Sequence, residues 1–218
     1  MRAMTADLFA DQPPQWQESL GDGARVLRGF ALPYAAALLQ ALPSLLAQAP
    51  LRHMLTPGGQ PMSVAMSSCG VYGWVSDRRG YRYEAQDPAS GLPWPPLPAD
   101  WLRLAASAAA AAGFAGFEPD ACLINRYQPG ARMALHQDRD ERDFGQPIVS
   151  VSLGLPVVFL FGGMQRSERA QRVPLAHGDV VVWGGPARLR YHGVLPLQPG
   201  SHPLLGAQRI NLTFRKAR

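Results

Sequence analysis

Cysteine and lysine are nearly absent from this chain. The two cysteines, Cys69 and Cys122, stand far apart in the sequence. They supply neither a disulfide framework nor a four-cysteine zinc site, so the expectation is two reduced thiols in a cytoplasmic protein. Lys216 is the single lysine among 21 basic residues. No apolar run reaches the length of about 18 residues that a membrane helix needs. The blandest stretch, LAASAAAAAG, is too short, and no membrane contact is expected. The opening MRAMTADLFADQPP lacks the apolar core of about 7–15 residues that a secretory leader carries. H-E-x-x-H and P-C-x-x-C are both missing, which argues against helical zinc proteases and zinc deaminases.

What is present suits one globular domain. The chain has 218 residues, of which 47% are hydrophobic, enough for one substantial core. A net charge of +5 favours a polyanionic partner, because neutralising phosphates releases counterions. Two helices are expected. One runs from about Pro33 to Ala49, with Pro43 as a kink or break. The other follows Asp100 as N-cap and stops at Gly113. From about Pro119 the pattern changes to period two. DACLINRY, ARMALHQD, PIVSVSLGL, VVFLFGG, GDVVVWGG, LRYHGV and RINLTFR are short, β-branched or aromatic, and bounded by glycine or proline. Strands in series of this kind suggest a sandwich or jelly roll, with the helices on one outer face.

One segment concentrates ligand chemistry. LHQDRDE packs His136, Asp138, Asp140 and Glu141 into seven residues. On a strand, residues two apart share a face, so His136 and Asp138 point the same way, Asp140 continues that face, and Glu141 faces solvent. A solvated charge run is the plain alternative. A metal site needs a third ligand, and five histidines are available. His53 lies in an early segment that is harder to read, His177 in a turn, and His202 in a loop. His192 lies in the strand-like RLRYHGV and is taken as the third. Two histidines and one carboxylate leave coordination positions open, as non-haem Fe(II) oxygenases require. The last strand alternates strictly, with Arg209, Asn211, Thr213 and Arg215 on one face and Ile210, Leu212 and Phe214 on the other. Its polar face is either solvent-exposed on an edge strand or the wall of a cavity that could hold a dicarboxylate. Asn125 and Tyr127 add an amide and a phenol at the same spacing.

NRYQPGARMALHQDRDE, PIVSVSLGLPVVFLFGG, HGDVVVWGG, RLRYHGV and RINLTFR together resemble the AlkB family, Fe(II)- and 2-oxoglutarate-dependent dioxygenases that repair alkylated nucleic acid. The resemblance extends upstream through LTPGGQPMSVAMSSCGVYGW and covers almost the whole chain. It implies a double-stranded β-helix, or jelly roll, in one mainly β domain with flanking helices. A nucleotide-recognition lid would span about residues 51–87 and the catalytic core about residues 119–218. It implies His136, Asp138 and His192 as iron ligands. For 2-oxoglutarate it implies Asn125, Tyr127, Met133, Ser150, Arg209, Asn211, Thr213 and Arg215, with Arg209 at the distal carboxylate and Arg215 near the chelating one. Met66, Trp74, Tyr81, Asp140 and Arg166 would bind substrate, and Arg132 and Arg139 would join Arg166 at phosphates. The implied reaction consumes O2. It demethylates N1-methyladenine and N3-methylcytosine in single- or double-stranded DNA, and in RNA, and the enzyme is expected to be a monomer. Gln60 departs from the pattern, since the family's bacterial members carry an aromatic residue there.

A methyl group on N1 or N3 blocks pairing and makes the base cationic, so it is cheaper to flip and suits a stack on Trp74. Three other readings stay open: a demethylase of RNA or protein, a binding module without catalysis, and a zinc hydrolase.

Overall fold

The computed structural model describes residues 16–218, so the opening stretch read above for a leader lies outside it. In chain order the elements are β1 (Gln17–Gly21), β2 (Ala24–Leu27), α1 (Ala35–Gln48), β3 (Arg52–Leu55), β4 (Pro61–Gly70), β5 (Gly73–Asp77) and β6 (Gly80–Glu84). After these come α2 (Ala99–Ala111), β7 (Ala121–Tyr127), β8 (Met133–His136), β9 (Ile148–Gly154) and β10 (Val157–Phe161). The last four are β11 (Gln171–Leu175), β12 (Val180–Trp183), β13 (His192–Val194) and β14 (Arg209–Arg215).

Two sheets face each other. The larger has eight strands in the order β1-β2-β12-β9-β14-β7-β4-β3, and the smaller has four in the order β11-β10-β13-β8. β5 and β6 form a separate hairpin. The architecture is a jelly roll, as the strand pattern led one to expect. β14 is not an edge strand. It pairs with β7 on one side and β9 on the other, antiparallel to both, and all seven of its residues are buried. That removes the solvent-exposed alternative for its polar face.

Period-two alternation then sorts side chains into two layers. Ile210, Leu212 and Phe214 join Trp101, Leu104, Leu38 and Leu42 in the core between the large sheet and the helices. On the opposite face, Leu123, Tyr127, Phe159, Phe161 and Trp183 pack between the two sheets. The polar residues of β14 point into that second layer, beside Ser150 and Ser152 of β9.

Both helices cover the outer face as expected, with three local differences. α1 runs unbroken through Pro43. The proline removes one backbone donor, but Leu38, Leu42 and Leu45 are buried against the sheet on either side of it, and that packing holds the helix together. Pro98, not Asp100, is the N-cap of α2, and Asp100 lies in the first turn, where its charge still favours the helix N-terminus. β11 and the β1–β2 hairpin were not foreseen.

Leu212→Ala should lower the unfolding free energy by about 2–5 kcal/mol, the cost of a buried leucine cavity. Urea denaturation measures it. A loss under about 1 kcal/mol would mean that β14 is not the packed centre of the fold.

Candidate active site

Between the two sheets lies a cavity of about 820 Å³. All of the residues expected to bind metal, co-substrate or base line it, from Met66 on β4 to Arg215 on β14. Arg132, Arg139 and Arg166 line it too and are exposed.

The metal candidates come together by strand pairing. β13 lies antiparallel to β8 with His192 directly opposite His136, and their ring centroids are 4.4 Å apart. Gly193 permits this approach, since a Cβ there would stand 2.8 Å from the Met133 carbonyl oxygen. β8 ends at His136, so Asp138 and Asp140 sit in the segment that follows and not on a continued strand face. Asp138 still turns inward. Its Oδ1 is 3.6 Å from His136 Nε2 and its Oδ2 is 3.7 Å from His192 Nε2. One donor atom from each of the three residues lies within 4.8 Å of the other two. Among the described residues this is the one histidine, cysteine and carboxylate cluster so arranged.

The protonation states suit a cation. Each Nδ1 lies against a backbone carbonyl, His136 at 2.9 Å from Ala134 O and His192 at 3.1 Å from Arg190 O. A carbonyl only accepts, so each Nδ1 carries the hydrogen and each Nε2 presents its lone pair to the cavity. Burial, together with neighbouring His136, pushes the His192 pKa down to about 3. Burial opposes charge on His136 as well, but the neighbouring Asp138 carboxylate outweighs it and its pKa rises. Burial would raise Asp138. Arg215 and the two imidazoles overcome that and hold its carboxyl well below the usual range. The set is therefore an ionised carboxylate with a neutral His192 beside it, the donor chemistry that a divalent metal takes.

The two arginines of β14 differ sharply. Arg215 donates to Asp138 Oδ2 from Nε at 2.9 Å and from Nη2 at 2.7 Å. Arg209 is 2% exposed and donates to Ser152 Oγ at 2.9 Å, with its guanidinium 4.9 Å from the Tyr127 ring centroid. Its Nε and Nη1 have no partner, and neither does Asn125 Oδ1. Thr213 Oγ1 donates to Asn211 Oδ1, and Asn211 Nδ2 donates to Ser150 Oγ. Burial lowers the Arg209 pKa without neutralising a group so basic. A buried cation with two such donors suits an anion, and a carboxylate between Arg209 and the metal cluster would fit it.

On the other wall, Trp74 donates from Nε1 to Asp140 Oδ2 at 2.7 Å and stacks on Tyr81 with centroids 5.6 Å apart and planes 15° off parallel. Burial raises the Asp140 pKa, against the Trp74 hydrogen bond.

Glu141 corrects the sequence expectation. It is 6% exposed and accepts from Tyr83 Oη at 2.7 Å and from Arg188 Nη2 at 3.0 Å. The alternation argument failed because β8 stops at His136 and the chain bends at Glu141, while two buried arginines require an anion. Leu123, Phe159 and Trp183 also line the cavity and were not singled out. Their signal was the inward phase of strands already recognised.

The sequence model of the 2OG-Fe(II) oxygenase superfamily matches residues 23–215. The alpha-ketoglutarate-dependent dioxygenase AlkB of Salmonella typhimurium is 57% identical over 211 residues, covering 97% of each chain. The AlkB of Escherichia coli is 54% identical with the same coverage. A solved structure of OsALKBH1 superposes with a TM-score of 0.80 at 28% identity, covering 92% of this chain and 99% of that one.

His192→Ala should weaken Co(II) binding at least about 100-fold, since even changes outside the ligand shell cost up to that much. Titration followed by the visible d–d band reads it. Unchanged affinity would remove His192 from the metal site.

Proposed function

The chain belongs to the 2OG-Fe(II) oxygenase superfamily and, within it, to the AlkB family, and on that premise we propose that its cavity removes methyl groups from the ring nitrogens of N1-methyladenine and N3-methylcytosine. It is an Fe(II)- and 2-oxoglutarate-dependent dioxygenase that oxidatively demethylates alkylated nucleic acid. DNA is the proposed main polymer, with RNA a second, and the outcome is direct reversal of damage.

The observation that carries this reading is that two buried donors of Arg209, Nε and Nη1, lack partners in the same cavity as a His-Asp-His cluster. A requirement for 2-oxoglutarate and O2 separates this reading from a zinc hydrolase, and succinate release separates it from a binding module. Bound iron with 2-oxoglutarate and O2 supplies the oxidation: the co-substrate becomes succinate and CO2, one C–H of the N-methyl group becomes C–OH, and the hydroxymethyl group leaves the ring nitrogen as formaldehyde.

The protein's own part is binding and orientation. His136, Asp138 and His192 would hold the metal. Arg209 would take the distal carboxylate of 2-oxoglutarate, with Asn125 and Tyr127 beside it, and Arg215 would lie near the other end of the molecule. Met133, Ser150, Asn211 and Thr213 would shape that end of the cavity. Trp74 would stack on the flipped cationic base, worth about 0.5–2 kcal/mol as a cation–π contact. Asp140 would face its positive charge, and Met66 would fill the wall beneath. Tyr81 would support Trp74 from behind, and the exposed Arg132, Arg139 and Arg166 would take phosphates at the mouth. Residues 51–87, which include β3 to β6, form the proposed recognition lid.

Incubation with Fe(II), 2-oxoglutarate, ascorbate and a single-stranded oligonucleotide carrying one N1-methyladenine should remove the methyl mass. The loss should stop when 2-oxoglutarate is omitted or in His136→Ala. Succinate without demethylation would point to a different substrate. Neither product, with iron bound, would overturn the catalytic assignment.

A further inference from the structure

Behind Asp138 lies a buried network of which Arg215 alone also lines the cavity. Its hub is Glu141. Oε2 accepts from Arg188 Nη2 at 3.0 Å. Oε1 accepts from Tyr83 Oη at 2.7 Å and stands 3.4 Å from Arg215 Nε. The two arginines grip Asp138 at its two ends: Arg188 Nη1 donates to the Asp138 backbone carbonyl at 2.9 Å, and Arg215 donates to the carboxylate. Side chains of Glu141 and Arg188 are only 2% and 3% exposed. The fourth member, Tyr83, lies on β6 and is 6% exposed. Its β5 partner strand carries Trp74, which pairs directly with Tyr83 in register.

Isolated buried ions are costly, and a fully bonded network of this kind rigidifies what it holds. Here the held object is a metal ligand, and one of the holders sits on the hairpin that presents Trp74 and Tyr81. We propose that Tyr83 is a positioning residue that, through Glu141, Arg215 and Arg188, couples occupancy of the metal and co-substrate site to seating of the base on the β5–β6 hairpin. The proposal rests on the functional assignment above and adds the path of communication within it.

The physical basis is a shared oxygen. Tyr83 Oη and Arg215 Nε both address Glu141 Oε1, while Arg215 is divided between Glu141 and Asp138. A cation placed against Asp138 reduces the hold of that carboxylate on Arg215 and leaves more of the guanidinium to Glu141. Arg215 then competes with the Tyr83 hydroxyl for Oε1, which loosens the tie of the β5–β6 hairpin to Glu141 and frees the hairpin to settle on a base. Linkage makes the effect reciprocal: a base that orders the hairpin favours the metal-loaded arrangement of Asp138 by the same factor.

Tyr83→Phe keeps the ring and removes only the hydroxyl. The test is a thermodynamic cycle without turnover: fluorescence anisotropy measures binding of the N1-methyladenine oligonucleotide, with and without Mn(II) plus 2-oxoglutarate under anaerobic conditions. For the wild type the loaded site should tighten oligonucleotide binding within the range of about 5–150-fold typical of such coupling. In Tyr83→Phe that factor should fall at least about threefold, while oligonucleotide binding to the unloaded protein stays within about twofold. Glu141→Gln, which keeps the side-chain shape, should reduce the factor in the same direction. An equal factor in wild type and Tyr83→Phe would overturn the proposal, as would the absence of any coupling in the wild type. A merely structural Tyr83 would weaken both binding constants together and leave their ratio unchanged, which also overturns it. Demethylation by the wild type, scored separately, shows whether the functional assignment stands when the coupling fails.

Discussion

Burying a guanidinium between two sheets costs several kcal/mol unless an anion accompanies it, and the sheets around Arg209 provide a serine hydroxyl and an aromatic face but no carboxylate. The position is imposed by β14. That strand is flanked on both sides, its apolar residues are committed to the helix-covered face, and period-two geometry sends Arg209 inward. The strand therefore carries an unfilled demand for negative charge in the middle of the molecule. A dicarboxylate co-substrate would meet that demand, and the metal cluster lines the same cavity.

Arg215, six residues on and on the same face, has the opposite situation. It donates twice to Asp138, from Nε and Nη2, and is backed by Glu141. Asp138 stays ionised because of it, and Arg188 fixes the backbone of the same residue. The two arginines are chemically identical and lie on one strand, yet one keeps two donors without a partner and the other is bound to Asp138. The difference comes entirely from which carboxylates their neighbouring loops deliver.

Much of this was legible in the sequence where a simple period applies. The alternation of Arg209 to Arg215 fixed which side chains share a face, and the short β-rich runs pointed to a jelly roll. His136 and His192 were chosen because each lies in a strand-like segment, but their direct opposition is set by the pairing of β8 and β13. The central place of β14 was not legible, because pairing partners far apart in sequence decide it, and an edge strand would read the same. Glu141 was misread for a related reason: strand alternation was carried past the end of β8 into a bend. Pro174 and two exposed residues disguised β11, whose register is set by pairing with β10. Roles at Trp74 and Tyr81 came from family resemblance, because aromatic residues in that segment suit a core equally well, and the phosphate role of Arg166 rested on its charge alone.

The most direct measurement is co-substrate affinity at Arg209. Calorimetry with Mn(II)-loaded protein under anaerobic conditions would compare 2-oxoglutarate with 2-oxobutyrate, which lacks the distal carboxylate, in wild type and in Arg209→Gln. The substitution should weaken 2-oxoglutarate binding about 10–100-fold, as loss of a charge-assisted contact does, and leave 2-oxobutyrate binding unchanged. Equal affinity of wild type and Arg209→Gln for 2-oxoglutarate would contradict the assignment of the buried guanidinium to the co-substrate.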